Sequence, residues 1–219
     1  NIYIDEEFLY HLQVYTDECS KEPGSIEEPM KAESQGVSLS GRPDYWNYNK
    51  NNHTLKVKDL KSGFGLVEAY ENWQLLSYAV LICDNRGIEE MGCKTVELSI
   101  IQPRANHPEG PIRCWSFNFD LLRGYRNKIL GAMAEAALAD PKAVSGPHCR
   151  YCRGLLHCHT ATAAAGYALD YAGKMSHSAI TPDALSLELE LVERAVSMLS
   201  QRKAALEEEA FNMNQKGSI

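Results

Sequence analysis

Asp59 and Lys61 stand two residues apart at the end of the apolar run that begins at Leu55. On a strand, side chains alternate faces, so these two point the same way. A carboxylate beside an ammonium at a strand end can hold a metal ion and orient a water. Asp44 opens an earlier strand-like run, Asp44 to Tyr48, and the polar stretch Asn49-Lys50-Asn51-Asn52-His53 separates the two runs. Folded as a hairpin, they bring Asp44 opposite Asp59 across the ladder. Downstream, Gln74 and Tyr78 lie one helical turn apart and share a face. A second constellation is Cys149, Cys152 and Cys158, spaced C-x2-C-x5-C between His148 and His159. Thiols this close read as metal or cluster ligands more readily than as disulfides.

Each set has a plainer reading. Asp44, Asp59 and Lys61 also suit a surface salt-bridge group on a hairpin. Gln74 and Tyr78, taken alone, are ordinary polar positions on a helix. The three cysteines fit a zinc site completed by His148, His157 or His159, an iron–sulfur cluster needing a fourth thiolate, or unrelated thiols. Cys83, inside Ala79-Val80-Leu81-Ile82, is expected to be a small buried hydrophobe.

The elements that must position these residues follow from periodicity and breakers. A helix is predicted over the first sixteen residues, through Ile4, Phe8, Leu9, Leu12 and Tyr15. Cys19 to Gln35, with Pro23, Gly24 and Pro29, reads as a mobile loop. Strands are predicted over Gly36–Ser40, Asp44–Tyr48, Leu55–Leu60, Thr95–Gln102 and Ile112–Phe119. A helix from Glu68 to Asp84, ended by Asn85-Arg86-Gly87, lies between the third and fourth of these. Such a strand–helix–strand unit favours parallel pairing. Asp120 is expected to cap a helix from Leu121 to Leu138. Beyond the cysteines, Ala161–Tyr171 and a long helix opened by Thr181-Pro182-Asp183 and running to Phe211 are predicted. The fold class expected is α/β, a mixed central sheet of four or five strands flanked by helices. The domain organisation expected is 1–35 as an N-terminal helix and loop, 36–147 as the core, 148–175 as the cysteine region and 176–219 as a helical extension. The 219 residues suit one domain with extensions. No apolar run reaches the ~20 residues of a membrane-spanning helix, and no secretory signal is visible. Cysteine usage suits a reducing compartment, so a cytoplasmic location is expected. The chain opens on Asn1, which suggests a piece of a longer protein.

The ordered motifs Gly41-x-x-Asp44, Asp59-x-Lys61 and Gln74-x-x-x-Tyr78 resemble those of the PD-(D/E)xK nuclease superfamily, and within it the RecB-like branch. The C-x2-C-x5-C that follows is similar to that of RecB-like nucleases carrying an iron–sulfur cluster. The run Val96 to Arg104 and the helix before the cysteines resemble a phage- and prophage-associated RecB-like family of uncharacterised function. The likeness spans Glu33 to Tyr171, and more weakly the C-terminal helices.

The resemblance implies a restriction-endonuclease-like core and metal-dependent hydrolysis of DNA, as an exonuclease in phage recombination, repair or processing. Mg2+ or Mn2+ would sit on Asp44, Asp59 and the Leu60 carbonyl, and Lys61 would position or deprotonate the water. Gln74 and Tyr78 would support the site or contact DNA, and Glu33 is the candidate for a further upstream acid. Cys149, Cys152 and Cys158 would hold a structural [4Fe–4S] cluster, with Zn2+ as the alternative and Cys19 as the one upstream cysteine available for the fourth position. Expected partners are DNA and phage recombination proteins, with no membrane. Arg104, Arg113, Arg123, Arg126, Lys128, Arg150 and Arg153 are candidates for a basic track. The formal net charge of −7 argues against an extended DNA-coating surface. The alternative function is a DNA-binding or structural phage protein without catalysis, held by zinc or a cluster.

Overall fold

The computed structural model describes residues 5–34, 36–174 and 181–215. It divides into two compact units, Asn1–Pro141 and Lys142–Ile219. Ile4, Gln35 and the expected boundary at 175/176 lie outside the described residues.

The first unit runs α1 (Glu6–Cys19), β1 (Ser25–Ile26), β2 (Met30–Ser34), β3 (Val37–Gly41), β4 (Tyr45–Asn49), β5 (Thr54–Leu60), α2 (Trp73–Arg86), β6 (Thr95–Ile101), β7 (Ile112–Asn118) and α3 (Phe119–Ala136). Five strands form a mixed sheet in the order β1-β4-β5-β6-β7, and β2-β3 form a separate hairpin. β4 and β5 pair antiparallel, β5 and β6 parallel, β6 and β7 antiparallel. The α/β class and the mixed sheet are as the sequence predicts, and the parallel pair is the one joined through α2.

β5 is largely buried on both faces, which meet different helices. Leu55 and Val57 join Leu75, Leu76, Ala79 and Val80 of α2 and Leu122 of α3 in the main core. Leu75 and Leu76 are fully buried, each contributing roughly 1.5–3 kcal/mol by leaving water. Leu60 faces the other way, with Tyr45, Ile101 and Ile112, and packs against Val14, Tyr15 and Cys19 of α1. Lys58 shares that second face and is 3% exposed. Its ammonium donates to the Glu18 carbonyl at 2.8 Å and to Glu18 Oε1 at 2.9 Å, so a buried charge is paired at the negative end of the α1 dipole.

Three local expectations change. The segment expected as a loop carries β1 and β2. Its acids bond to the sheet: Glu28 accepts the Trp46 indole N–H at 3.1 Å, and Glu22 accepts the Asn47 amide at 3.0 Å. α2 starts at Trp73 rather than Glu68, because the Asn72 side chain accepts the N–H groups of Gln74 and Leu75. α3 is capped by Asn118, which accepts the Asp120 N–H at 2.8 Å, and Asp120 falls in the first turn.

The second unit opens with two 3-10 turns, Pro147–Tyr151 and Leu155–His157, followed by α4 (His159–Ala172) and α5 (Pro182–Gln215). Cys149, Leu155 and Ala205 form its small buried cluster, with Leu156 and Ala161 beside them. Among the described residues, no helix is long and apolar enough to cross a membrane.

Candidate functional site

The antiparallel register pairs Tyr45 with Lys58. One step further, Asp44 stands opposite Asp59 where β4 and β5 part. Asp44 is fixed there by the backbone: its Oδ2 accepts the Leu60 N–H at 2.7 Å. Asp59 and Lys61 continue the Leu55–Val57 face of β5. The Lys61 N–H donates to the Ile101 carbonyl at 2.9 Å, which ties the strand end to β6.

Lys61 Nζ lies 2.7 Å from Asp59 Oδ2 and donates to Gln74 Oε1 at 2.7 Å. Gln74 Nε2 donates to Asp59 Oδ1 at 3.1 Å and to the Tyr78 hydroxyl at 3.0 Å. The amide therefore bridges acid, lysine and phenol. Tyr78 lies against Gly41, where an added Cβ would come within 2.8 Å of its ring. The glycine of the G-x-x-D motif thus makes room for the tyrosine of Q-x-x-x-Y.

Asp59 is 2% exposed. Its Oδ2 makes a close ion pair with Lys61, yet it is buried without a hydrogen-bond partner; the ammonium sits off the hydrogen-bonding directions. Burial pushes the Asp59 carboxyl above its ordinary range, Lys61 pulls against this, and the Asp44 charge adds to the rise.

Two converging carboxylates, one with an oxygen that makes no hydrogen bond beside its Lys61 ion pair, fit a hard divalent cation. Mg2+ in particular uses one or two carboxylates and keeps several waters. Among the described residues no set of three or more His, Cys, Asp or Glu side chains gathers to hold a metal. A cation here would rest on Asp44 and Asp59, with water and backbone oxygen completing its shell. Glu33 is not part of this group. It sits on the β2-β3 hairpin, exposed, with its carboxylate 2.5 Å from Lys31 Nζ.

The cysteines take a different form. Cys149, Cys152 and Leu155 head successive tight turns, with N–H groups donating to the carbonyls of Gly146, Cys149 and Cys152 at 3.0, 3.0 and 3.1 Å. Cys149 is buried, and its Sγ accepts the Gly146 N–H at 3.4 Å. Cys152 is exposed and Cys158 half-buried. The three sulfurs do not form a closed ligand set. His148 engages the Val144 carbonyl at 3.1 Å, and His157 and His159 are exposed. Cys19 belongs to the first unit, buried beside Tyr15, and burial raises its thiol pKa.

Of the basic track, Arg113 is corrected: it is 2% exposed and faces the interior. Residues 113, 115 and 117 alternate onto one strand face, so the neighbours Trp115 and Phe117 signal its burial. Arg123 pairs with Glu89 and Asp120, and Arg126 with Asp84 at 3.1 Å. Sequence reasoning also missed Gln102, which is fully buried. Its signal is a polar residue ending an apolar strand just before Pro103.

No curated protein shows significant similarity to the chain. Among solved structures, the crystal structure of SSO0001 aligns at 18% identity over 69% of this chain and 68% of that one, with a TM-score of 0.36. A family described as "Protein of unknown function (DUF2800)" matches residues 11–218, nearly the whole chain, and the protein belongs to that family.

Proposed function

We propose that the protein is a Mg2+- or Mn2+-dependent deoxyribonuclease of the RecB-like, PD-(D/E)xK type, acting as an exonuclease in phage or prophage DNA recombination, repair or processing. One observation carries this reading: Asp59, Lys61, Gln74 and Tyr78 form one bonded network at a strand end, with Asp44 placed opposite Asp59. DNA is the proposed substrate, phage recombination proteins the proposed partners, and the bacterial cytoplasm the proposed location.

A divalent cation supplies charge relief at the phosphate and stabilisation of the leaving oxygen. Asp44 and Asp59 would hold it, with the Leu60 carbonyl as a further ligand. Lys61 would position the attacking water or, once it has itself given up a proton to become the neutral amine, take up the water's proton as oxygen bonds to phosphorus and the bridging P–O bond breaks. Gln74 keeps Lys61 directed at that position, and Tyr78 keeps Gln74 in place. The cysteine turns are proposed to hold a structural [4Fe–4S] cluster, or zinc, with Cys19 as the candidate fourth ligand. The motif spacing supports this, as does the N–H donated to Cys149 Sγ, the kind of contact that steadies a thiolate.

Incubation with linear and covalently closed DNA, in Mg2+, Mn2+ or chelator, tests the activity. Linear DNA should shorten only with metal, and closed circles should survive. Lys61→Ala should slow cleavage by roughly 10²–10⁴-fold, the usual worth of a positioned acid–base group. Asp59→Ala should do at least as much, and both variants should stay folded. Near-normal cleavage by Lys61→Ala sinks the mechanism. Tight DNA binding by the wild type without metal-dependent cleavage would favour the non-catalytic alternative.

A further inference from the structure

Lys61 and Gln74 must meet, yet the chain between them, residues 62–72, contains no helix or strand. It includes the stretch Ser62-Gly63-Phe64-Gly65, exposed throughout, where an added Cβ at either glycine would meet nothing within 4 Å. Its far end is held by Ala69, buried in the main core, and by Asn72, which bonds back to Ala69 and Glu68. Its first half, residues 63–67, is held by two buried side chains from β6–β7.

Gln102 follows the last residue of β6 and is 0% exposed. Its amide NH2 donates to the Gly63 carbonyl at 2.8 Å and to the Gly65 carbonyl at 2.7 Å. Its Oε1 accepts the Val67 N–H at 3.1 Å and Arg113 Nη2 at 2.5 Å. Both donors and both acceptor sites of the amide are thereby used. Arg113 completes the arrangement, donating through Nε and Nη2 to the Val67 carbonyl at 3.1 and 2.6 Å. Its Nη1 is buried without a hydrogen-bond partner. Gln102 is itself anchored, its N–H donating to the Pro111 carbonyl at 2.7 Å. Partners 35 to 46 residues apart in sequence thus replace a missing strand neighbour.

We propose that Gln102 and Arg113 are positioning residues. They clamp residues 63–67 to the sheet and so help set where Gln74 meets Lys61 and Asp59. The catalytic part of this proposal rests on the nuclease reading above; the clamp itself does not. Neither side chain touches the reacting atoms. They act through the backbone of Gly63, Gly65 and Val67, which lies between the lysine and the amide that directs it. A buried amide that uses all its donors and acceptors, as Gln102 does, rigidifies what it binds, and a displacement of about 1 Å at a reacting group can cost about 10²-fold in rate.

Two substitutions on the full chain separate the clamp from general packing. Gln102→Leu keeps the volume and removes every bond that Gln102 makes to the segment, leaving the Arg113 bonds to Val67. Gln102→Glu keeps an acceptor for Val67 N–H and a charge partner for Arg113, but cannot donate to Gly63 and Gly65. Hydrogen–deuterium exchange should rise by about tenfold or more across residues 63–67 in Gln102→Leu, and in Gln102→Glu around Gly63–Gly65, with β5 and the middle of α2 still protected. In the same proteins kcat for DNA cleavage should fall by about 10²-fold in Gln102→Leu, with KM within about threefold. A wild-type rate of exchange at 63–67 in Gln102→Leu overturns the clamp. A loosened segment with unchanged kcat overturns its positioning role. A rise in exchange spread evenly over the first unit assigns Gln102 to packing alone and also overturns it. If the wild type cleaves no DNA under any metal, the nuclease reading fails, while the exchange result still decides the clamp.

Discussion

Asp59 carries opposed demands. It is almost completely buried, which disfavours its charge, yet it is placed to hold a cation that requires that charge. Burial raises its pKa over the ordinary value of 3.8 against the pull of Lys61, with Asp44 adding to the rise. The folded state therefore binds this proton more tightly than the unfolded chain. That contribution to stability is present below the ordinary carboxylate range and is lost as pH rises through the raised folded pKa. Asp59→Asn removes the titration while Oδ1 can still accept from Gln74. Its melting temperature relative to wild type should therefore climb as pH rises above the ordinary carboxylate range, while cleavage is abolished. A difference that stays flat or falls over this range would show that the Asp59 carboxylate is not disfavoured by its site. Mn2+ affinity should rise with pH over the same window, because the cation must displace the same proton.

At the scale of elements, the site depends on where α2 begins. Gln74 is its second residue, and the Asn72 side chain accepts the N–H groups of Gln74 and Leu75 at 3.1 and 3.2 Å. The cap therefore fixes the turn that carries Gln74. Asn72→Ala should cost about 1 kcal/mol, the usual price of a lost N-cap, and kcat should fall more than that modest destabilisation would suggest. Asn72→Asp, which keeps a capping oxygen, should restore both; a variant that regains stability without rate would break the link between cap and site. The same start of α2 shows what sequence could and could not reveal. Asp44, Asp59, Lys61, Gln74 and Tyr78 were legible because their convergence follows from strand alternation, a short hairpin and one helical turn. Glu68 to Asn72 read as helix because apolar spacing continues through it; the left-handed backbone at Glu71 and the Asn72 cap stop it. β1 and β2 were invisible because Glu22 and Glu28 reach across to the sheet, and long-range polar bonds leave no periodic trace. Gln102 and Arg113 escaped for the same reason: their partners lie on a segment with no pattern of its own.

Across the whole molecule, the two constellations divide between the two units. Asp44 through Tyr78, and the cores that support them, belong to Asn1–Pro141; Cys149, Cys152 and Cys158 belong to Lys142–Ile219. The second unit has little apolar material around its turns, with Cys149, Leu155 and Ala205 forming its buried cluster. Successive tight turns over so small a core hold poorly by packing alone, and a shared metal centre would add folding energy directly. Protein purified without oxygen should therefore carry one metal centre per chain, iron with visible absorption or colourless zinc. Cys152→Ser should release it and loosen residues 142–174, read by hydrogen exchange, while protection of β5, β6 and α2 stays at the wild-type level. Metal-free wild-type protein that exchanges as slowly as the metal-loaded form would show that the turns stand without a metal. Loss of protection in the sheet as well would show that the substitution unfolds more than the cysteine region, and would overturn a purely local role for the metal.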